Sequence, residues 1–300
     1  MEWENVVYQY DGTLDGFFCC VYESYVYKEF PTAFFSDEEC CPISFYSVRS
    51  IITQREHAKR VQNGLQKRSP AVISVIQRAF LTCMEDKEEH LYAFVQKVFS
   101  KGAYFLKNQS DPVYAPLVKA IRHLNGELEK LRGFIRFSEY DGTLGAEIEP
   151  KNRVLPLLRH HFCNRYANES FFIHDRTNKE ILLYSHGRSR IIPVDSLRLS
   201  LPGEEEMQYR RLWKQFYNTI AIKERYNPRC QNTQMPKRYR GTMTEFLPVD
   251  YERYQGGAIP SKSPANALPH GAPDGRPAPA THAAPGHSSA GSCRGNNAGR

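Results

Sequence analysis

Long apolar runs are missing from this sequence. No stretch reaches the ~18 residues that a membrane-spanning helix needs, and the amino end, MEWENVVYQYDG, lacks the basic-then-apolar layout of a signal peptide. A cytoplasmic protein without membrane contact is the expectation. Metal-ligand spacing is missing too. The eight cysteines include the adjacent pairs Cys19-Cys20 and Cys40-Cys41, but nowhere C-x-x-C or C-x-x-C-H. Structural zinc and iron–sulfur sites need spacings that bring two thiolates to one metal, so no metal and no cofactor is expected. Without secretion the thiols are read as reduced. There is no Walker loop, G-x-G-x-x-G, G-x-S-x-G or H-E-x-x-H, which removes the usual signatures of phosphate-loop, dinucleotide, serine-hydrolase and zinc-protease chemistry.

What is present is positive charge, and it is concentrated. The chain of 300 residues is 41% hydrophobic, enough for one or two cores, and carries a net charge of +7. Between residues 210 and 240 stand nine basic residues, Arg210, Arg211, Lys214, Lys223, Arg225, Arg229, Lys237, Arg238 and Arg240, against the single acid Glu224. The remainder is therefore close to neutral. Trp213, Phe216, Tyr217, Tyr226 and Tyr239 are interleaved with the cations. Concentrated cations with aromatic neighbours suit a polyanion, nucleic acid above all.

The periodicities predict an α+β fold. Residues 6–10, VVYQY, read as a strand. Asp11-Gly12 is a turn, and Thr13 or Asp15 can cap a helix over about residues 14–28, ended by Pro31. Residues 44–52 have β character, and residues 53–56 resemble a helix start. Ser69-Pro70 opens a helix with Val72, Val75, Ile76, Ala79, Phe80 and Cys83 at helical spacing. Leu91, Phe94, Val95, Val98 and Phe99 form a second helix closed by Gly102. Asp111-Pro112 opens a third, with Leu117, Ile121, Leu124, Leu128 and Leu131 inward. From Gly133 the pattern changes to a hairpin turning at Asp141-Gly142, a helix over about residues 152–166, and three short strands. This is a small antiparallel ββαβββ unit. A last helix over about residues 203–223 opens with three glutamates, which suit its positive end. One domain of residues 1–250 is expected, helical over about 1–132 and α+β over about 133–250. A disordered Ala/Pro/Gly-rich tail of residues 251–300 follows. The pentapeptide Tyr10–Leu14 recurs as Tyr140–Leu144; its flanks do not match, so it reads as reuse of a turn rather than duplication.

Each candidate site has a plainer reading beside it. On the last helix Tyr209, Trp213, Phe216, Tyr217 and Ile220 share one stripe, and Arg211, Lys214 and Asn218 another. The stripe is read as core-facing, fastening the irregular cationic strip of residues 225–240, where Pro228 and Pro236 break regular structure. Arg211, Lys214, Arg225, Arg229, Lys237, Arg238 and Arg240 are the candidate phosphate contacts, with Tyr239 stacking on a base. Solubility, or docking to an acidic protein, is the alternative. Asp11 and Asp15 could hold a cation or act as acid–base groups, but a turn and helix cap explains them. His160 and Asp175 are further acid–base candidates; ordinary polar roles explain those as well.

Three segments carry a family resemblance: YDGTLDGFFCCVYESY, ANESFFIHDRTNKEILLY, and LWKQFYNTIAIKERYNPRCQNTQMPKRYRGTMTEF. Together, in that order, they resemble the bacterial "probable DNA metabolism protein" family, a domain of unknown function, over about residues 3–250. Pro236-Lys237-Arg238-Tyr239, Asn168-Glu169 and the stretch from Asp175 to Lys179 match its motifs, while Arg240 stands where the family is expected to carry an aromatic. The resemblance implies a radical-SAM DNA modification or repair protein as partner. It also implies fusion, in some relatives, to a uracil-DNA-glycosylase-like domain. The function expected is a DNA-binding accessory protein in repair or base modification; a nucleic-acid-processing hydrolase or lyase and a protein-only adaptor are the alternatives.

Overall fold

The computed structural model describes residues 3–37, 39, 45–140, 142–197, 199 and 203–246. The expected tail, Cys40, Cys41, and Asp141 of the hairpin turn lie outside them. Every described residue lies in one compact unit within Met1–Gly257.

The first layer is built on β1 (Glu4–Tyr10) and α1 (Leu14–Tyr27). Asp11 accepts from the Thr13 N–H (2.9 Å) and hydroxyl (2.7 Å), and Thr13 accepts from Gly16 N–H (3.0 Å), which starts the helix. Gly16 is required there: a Cβ would lie 2.2 Å from the Asp11 carboxylate. The helix ends at Lys28, in the left-handed region at φ 57°. Pro31 is therefore not its terminator. It lies inside β2 (Glu29–Ser36), an edge strand where its missing N–H is tolerated. With β3 (Ser47–Ser50) these strands form a sheet ordered β2-β1-β3, parallel throughout. Of its three strands, β1 and, within the β-like residues 44–52, β3 were expected and β2 was not. β2 was hidden by its proline, and β3 pairs with β1 across 36 or more intervening residues. Helices α2 (Arg55–Arg68), α3 (Pro70–Phe80) and α4 (Lys87–Lys101) cover this sheet. They enclose a core of Tyr8, Phe17, Phe18, Leu65, Ile76 and Phe94.

Helix α5 (Ala115–Phe134) joins two cores. It gives Leu117 to the first and Leu124, Leu128 and Leu131 to the second. The second is built on β4 (Ser138–Tyr140), β5 (Thr143–Ile148), α6 (Leu155–Arg165), β6 (Phe171–Asp175), β7 (Glu180–Ser185) and β8 (Arg188–Pro193), ordered β4-β5-β6-β7-β8. The ββαβββ order is the one expected. The sheet, however, is mixed: β5 and β6 are parallel, because α6 crosses over between them, and the other pairings are antiparallel. The fold is α+β, with a parallel and a mixed sheet. The repeated pentapeptide caps a helix in its first copy and lies in a hairpin in its second. Helix α7 (Glu204–Ile220) and the short α8 (Pro228–Gln234) follow. Single turns at Lys223–Arg225, Lys237–Thr242 and Thr244–Phe246 complete the described chain. No helix among the described residues is long and apolar enough to cross a membrane.

Candidate nucleic-acid interface

The cationic segment is fixed to the fold by one buried carboxylate. Glu127 sits on the apolar face of α5 between Leu124 and Leu128 and is 2% exposed. A buried acid is tolerated only when its lone pairs are filled. Here the Lys151 and Asn152 N–H groups (3.1 and 2.8 Å), the Asn152 amide (2.6 Å) and the Arg238 guanidinium (2.6 Å) all donate to it. Burial pushes the Glu127 carboxyl up. The two backbone N–H groups, the Asn152 side chain and the Arg238 charge outweigh that and hold it below its ordinary range. Asn152 accepts in turn from Cys83 N–H (3.0 Å) and meets His123 (3.1 Å). Glu127 and Asn152 together thus link α5, the loop before α6, the segment that follows α3 and the closing turns.

Tyr239 is 4% exposed within the second core. Its ring lies 5.5 Å from that of Phe134, its hydroxyl reaches Glu127 (3.4 Å), and Arg238 stacks on its face at 4.4 Å. The base-stacking role expected of Tyr239 is corrected: the ring is buried, Arg238 covers one face, and the hydroxyl is engaged inside the protein. Arg238 is committed to Glu127. Arg240 donates to Asn232 (2.9 Å) and to the Met235 carbonyl (3.1 Å) and lies over Phe246. Behind them Met243 is buried, and Glu245 pairs with Arg136 at 2.9 Å.

The other cations are differently placed. Arg211, Arg225, Arg229 and Lys237 are exposed and Lys214 is half-buried. Among the described residues none of these five has an ion-pair partner. Arg210 is the exception on α7, paired with Glu206 (2.9 Å) and bonded to the Ser138 hydroxyl (2.6 Å).

Helix α7 reverses its expected orientation. It buries Met207 and turns Tyr209 (61% exposed), Leu212 (61%), Trp213 (45%), Phe216 (51%) and Ile220 (57%) to solvent. The apolar stripe expected to face the core faces away from it, apart from Tyr217, whose side chain lies outside the described residues. Anchoring comes instead from Met207 and the Arg210–Glu206–Ser138 contacts, and the cationic strip fastens itself through Arg238 and Tyr239. Trp213 and Phe216 stack on each other at 5.6 Å.

The acid–base candidates do not converge. Asp11 is occupied in the α1 cap, and its Thr13 contacts outweigh burial to hold its carboxyl low. Asp15 accepts from Gln62 of α2 (3.2 Å). His160 is exposed on α6 beside Asn164. Asp175 ends β6 fully buried, accepting from Thr177 and Asn178 N–H (both 3.0 Å) and the Asn178 amide (2.7 Å). Burial pushes its carboxyl up to about 6. Two of the four belong to the first layer and two to the second, each with a local structural task. Among the described residues no three His, Cys, Asp or Glu side chains are grouped to hold a metal ion. Glu127 escaped the sequence reading; its signal was an acid inside the leucine pattern of α5.

Residues 85–245 match a family described as a domain of unknown function, DUF4130. No curated protein matches the chain, and no solved structure does. The match is shorter at its amino end than the resemblance suggested: the parallel sheet, α1, α2 and α3 precede it. It covers more than half of the sequence and takes in α4, α5, the whole second sheet and the cationic segment. The chain belongs to the DUF4130 family, a domain of unknown function.

Proposed function

We propose that the chain is a DNA-binding accessory protein in repair or base modification, contacting phosphates through Arg211, Lys214, Arg225, Arg229 and Lys237. The observation that supports this is the division of one cationic segment into spent and unspent charge. Arg210, Arg238 and Arg240 are consumed by Glu206, Glu127, Asn232 and the Met235 carbonyl. The other five have no ion-pair partner among the described residues. Like charges held close together cost energy that an anionic partner relieves. Tyr226, 66% exposed between Arg225 and Arg229, replaces Tyr239 as the stacking group. Resemblance to the DNA metabolism family supplies DNA as the polyanion and a radical-SAM enzyme as the partner that acts on it.

Fluorescence anisotropy with labelled single- and double-stranded DNA, titrated over a salt series, tests the proposal. Five phosphate contacts give log affinity a slope against log salt of about −4.5 on duplex and about −3.5 on single strands. Reversing Arg225, Arg229 and Lys237 to glutamate should abolish binding. No binding at low salt, or binding indifferent to salt, sinks the reading. A pull-down with and without nuclease, scored for a radical-SAM protein, tests the partner separately.

A further inference from the structure

From the exposed face of α7 we infer that two copies of this chain associate through that helix, antiparallel and about a two-fold axis. Tyr209, Trp213, Phe216 and Ile220 lie one above another at helical spacing, with Leu212 beside them, all about half exposed or more. Isolated exposed apolar side chains need no explanation; a continuous stripe of this size does. Its aromatic content is that of an interface centre rather than of ordinary surface.

Nucleic acid does not fit the stripe. A stacking platform needs cations beside it to hold the backbone. The unpaired cations of α7, Arg211 and Lys214, project about 140–160° round the helix from the middle of the stripe. Arg210, nearer to it, is committed to Glu206 and Ser138. Among the described residues of α7 no free cation borders this apolar face, and it calls for protein.

A second copy supplies a matching face. The spacing 209, 213, 216, 220 reads the same in both directions, so a two-fold between residues 214 and 215 sets Trp213 against Phe216 and Tyr209 against Ile220 of the other copy. The two stacked Trp213–Phe216 pairs meet at the axis. Charge follows the same symmetry. The first turn of α7 is Glu204-Glu205-Glu206, while the turn beyond its end holds Arg225, exposed and unpaired. Antiparallel pairing brings Glu204 toward Arg225 of the second copy, twice. Glu224 falls near Glu205 and offsets part of this, so the apolar stripe carries most of the contact. A specific interface buries about 800 Å² per partner. Five large exposed side chains, extended by Ile222, offer area on that scale.

Sedimentation velocity of the full chain, nuclease-treated and run as a concentration series, tests this. A reversible dimer is expected. Trp213→Glu with Phe216→Glu should raise its dissociation constant at least about a hundredfold while far-ultraviolet circular dichroism is unchanged. Glu204→Arg should weaken it about twofold to fivefold, and Glu204→Arg combined with Arg225→Glu should restore it; a variant that merely misfolds is not restored. A monomer at every concentration, a dimer that disappears with nuclease, or a dimer indifferent to the stripe substitutions overturns the inference. DNA anisotropy of the Trp213→Glu, Phe216→Glu variant reads the phosphate-contact proposal separately, because neither substitution touches a cation that proposal needs.

Discussion

Tyr209 and Tyr239 lie in the same cationic segment, one 61% exposed on α7 and the other 4% exposed in the closing turns. The two regions have similar composition, aromatics among arginines and lysines, and opposite fates. The helix is regular and amphipathic, so its pattern promises burial, yet its apolar stripe is on the outside. The closing turns are short and irregular, with nothing periodic to read, yet they insert Tyr239 and Met243 into the protein and neutralise Arg238 against Glu127. The difference is the presence of a receptor. α5 offers a buried carboxylate to the turns, and no described element offers α7 an apolar surface. An amphipathic pattern states that a face needs covering; it does not say which molecule covers it.

Truncation at the two tyrosines should break this comparison most sharply. Tyr239→Ala removes a buried ring and is expected to cost about 3–5 kcal/mol, the range for large core aromatics. Tyr209→Ala should stay within about 0.5 kcal/mol. Urea denaturation of both, under conditions where the chain is monomeric, measures the gap; equal losses would show that α7 is packed as tightly as the turns.

Next in size is Glu127→Gln. It removes the charge that holds Arg238 and sets an amide N–H₂ against groups that already donate, at an expected cost of about 2–3 kcal/mol near neutral pH. The pH dependence has a definite sign. Glu127 is held below its ordinary 4.5, so its contribution is present above that unfolded value and is lost as pH falls through the depressed folded value. The stability difference between wild type and variant should therefore shrink in acid. A difference that persists unchanged at about pH 3 would mean that shape rather than charge is at work.

The smallest effect separates spent from unspent charge. Arg229→Ala should leave the urea midpoint in place, weaken DNA binding a few-fold across sequences alike, and reduce the salt slope by about 1. Arg238→Ala should do the reverse in the first respect, lowering the midpoint by leaving Glu127 buried with one donor fewer. If the two variants behave alike, the division of the segment proposed here fails.

Much of the fold was legible, for local reasons. Ser69-Pro70 marked α3 because a hydroxyl acceptor followed by proline is favourable only at a helix start, and Gly102 marked the end of α4 because φ 73° there suits glycine. The leucine spacing of α5 and the alternation from Phe171 to Pro193 survived unchanged. What failed was non-local. β2 was lost because proline argues against a strand unless the edge is known in advance. The parallel pairing of β5 with β6 depends on α6 crossing between them, which no window of either strand records. At the candidate site the charge excess was visible but its division was not, since Arg229 and Arg238 look alike until Glu127, about a hundred residues earlier, is placed beside one of them. The direction in which α7 faces was illegible for the same reason: a stripe has a period, not an address.

Helix α5 ties these regions together mechanically. One continuous rod gives Leu117 to the first core and Leu124, Leu128 and Leu131 to the second, and carries Glu127 between Leu124 and Leu128. Neither half can melt without unthreading the other, so the described body should lose its structure in a single step, with the slowest-exchanging amides along the middle of that rod. The matched stretch begins at residue 85, inside the territory of the first core. A chain cut there would keep α4 and α5 but strip Leu91, Phe94, Val95, Val98 and Leu117 of the sheet and helices that cover them, and would come out of the cell sticky. For this protein the stretch matched by the family and the body that folds have different edges.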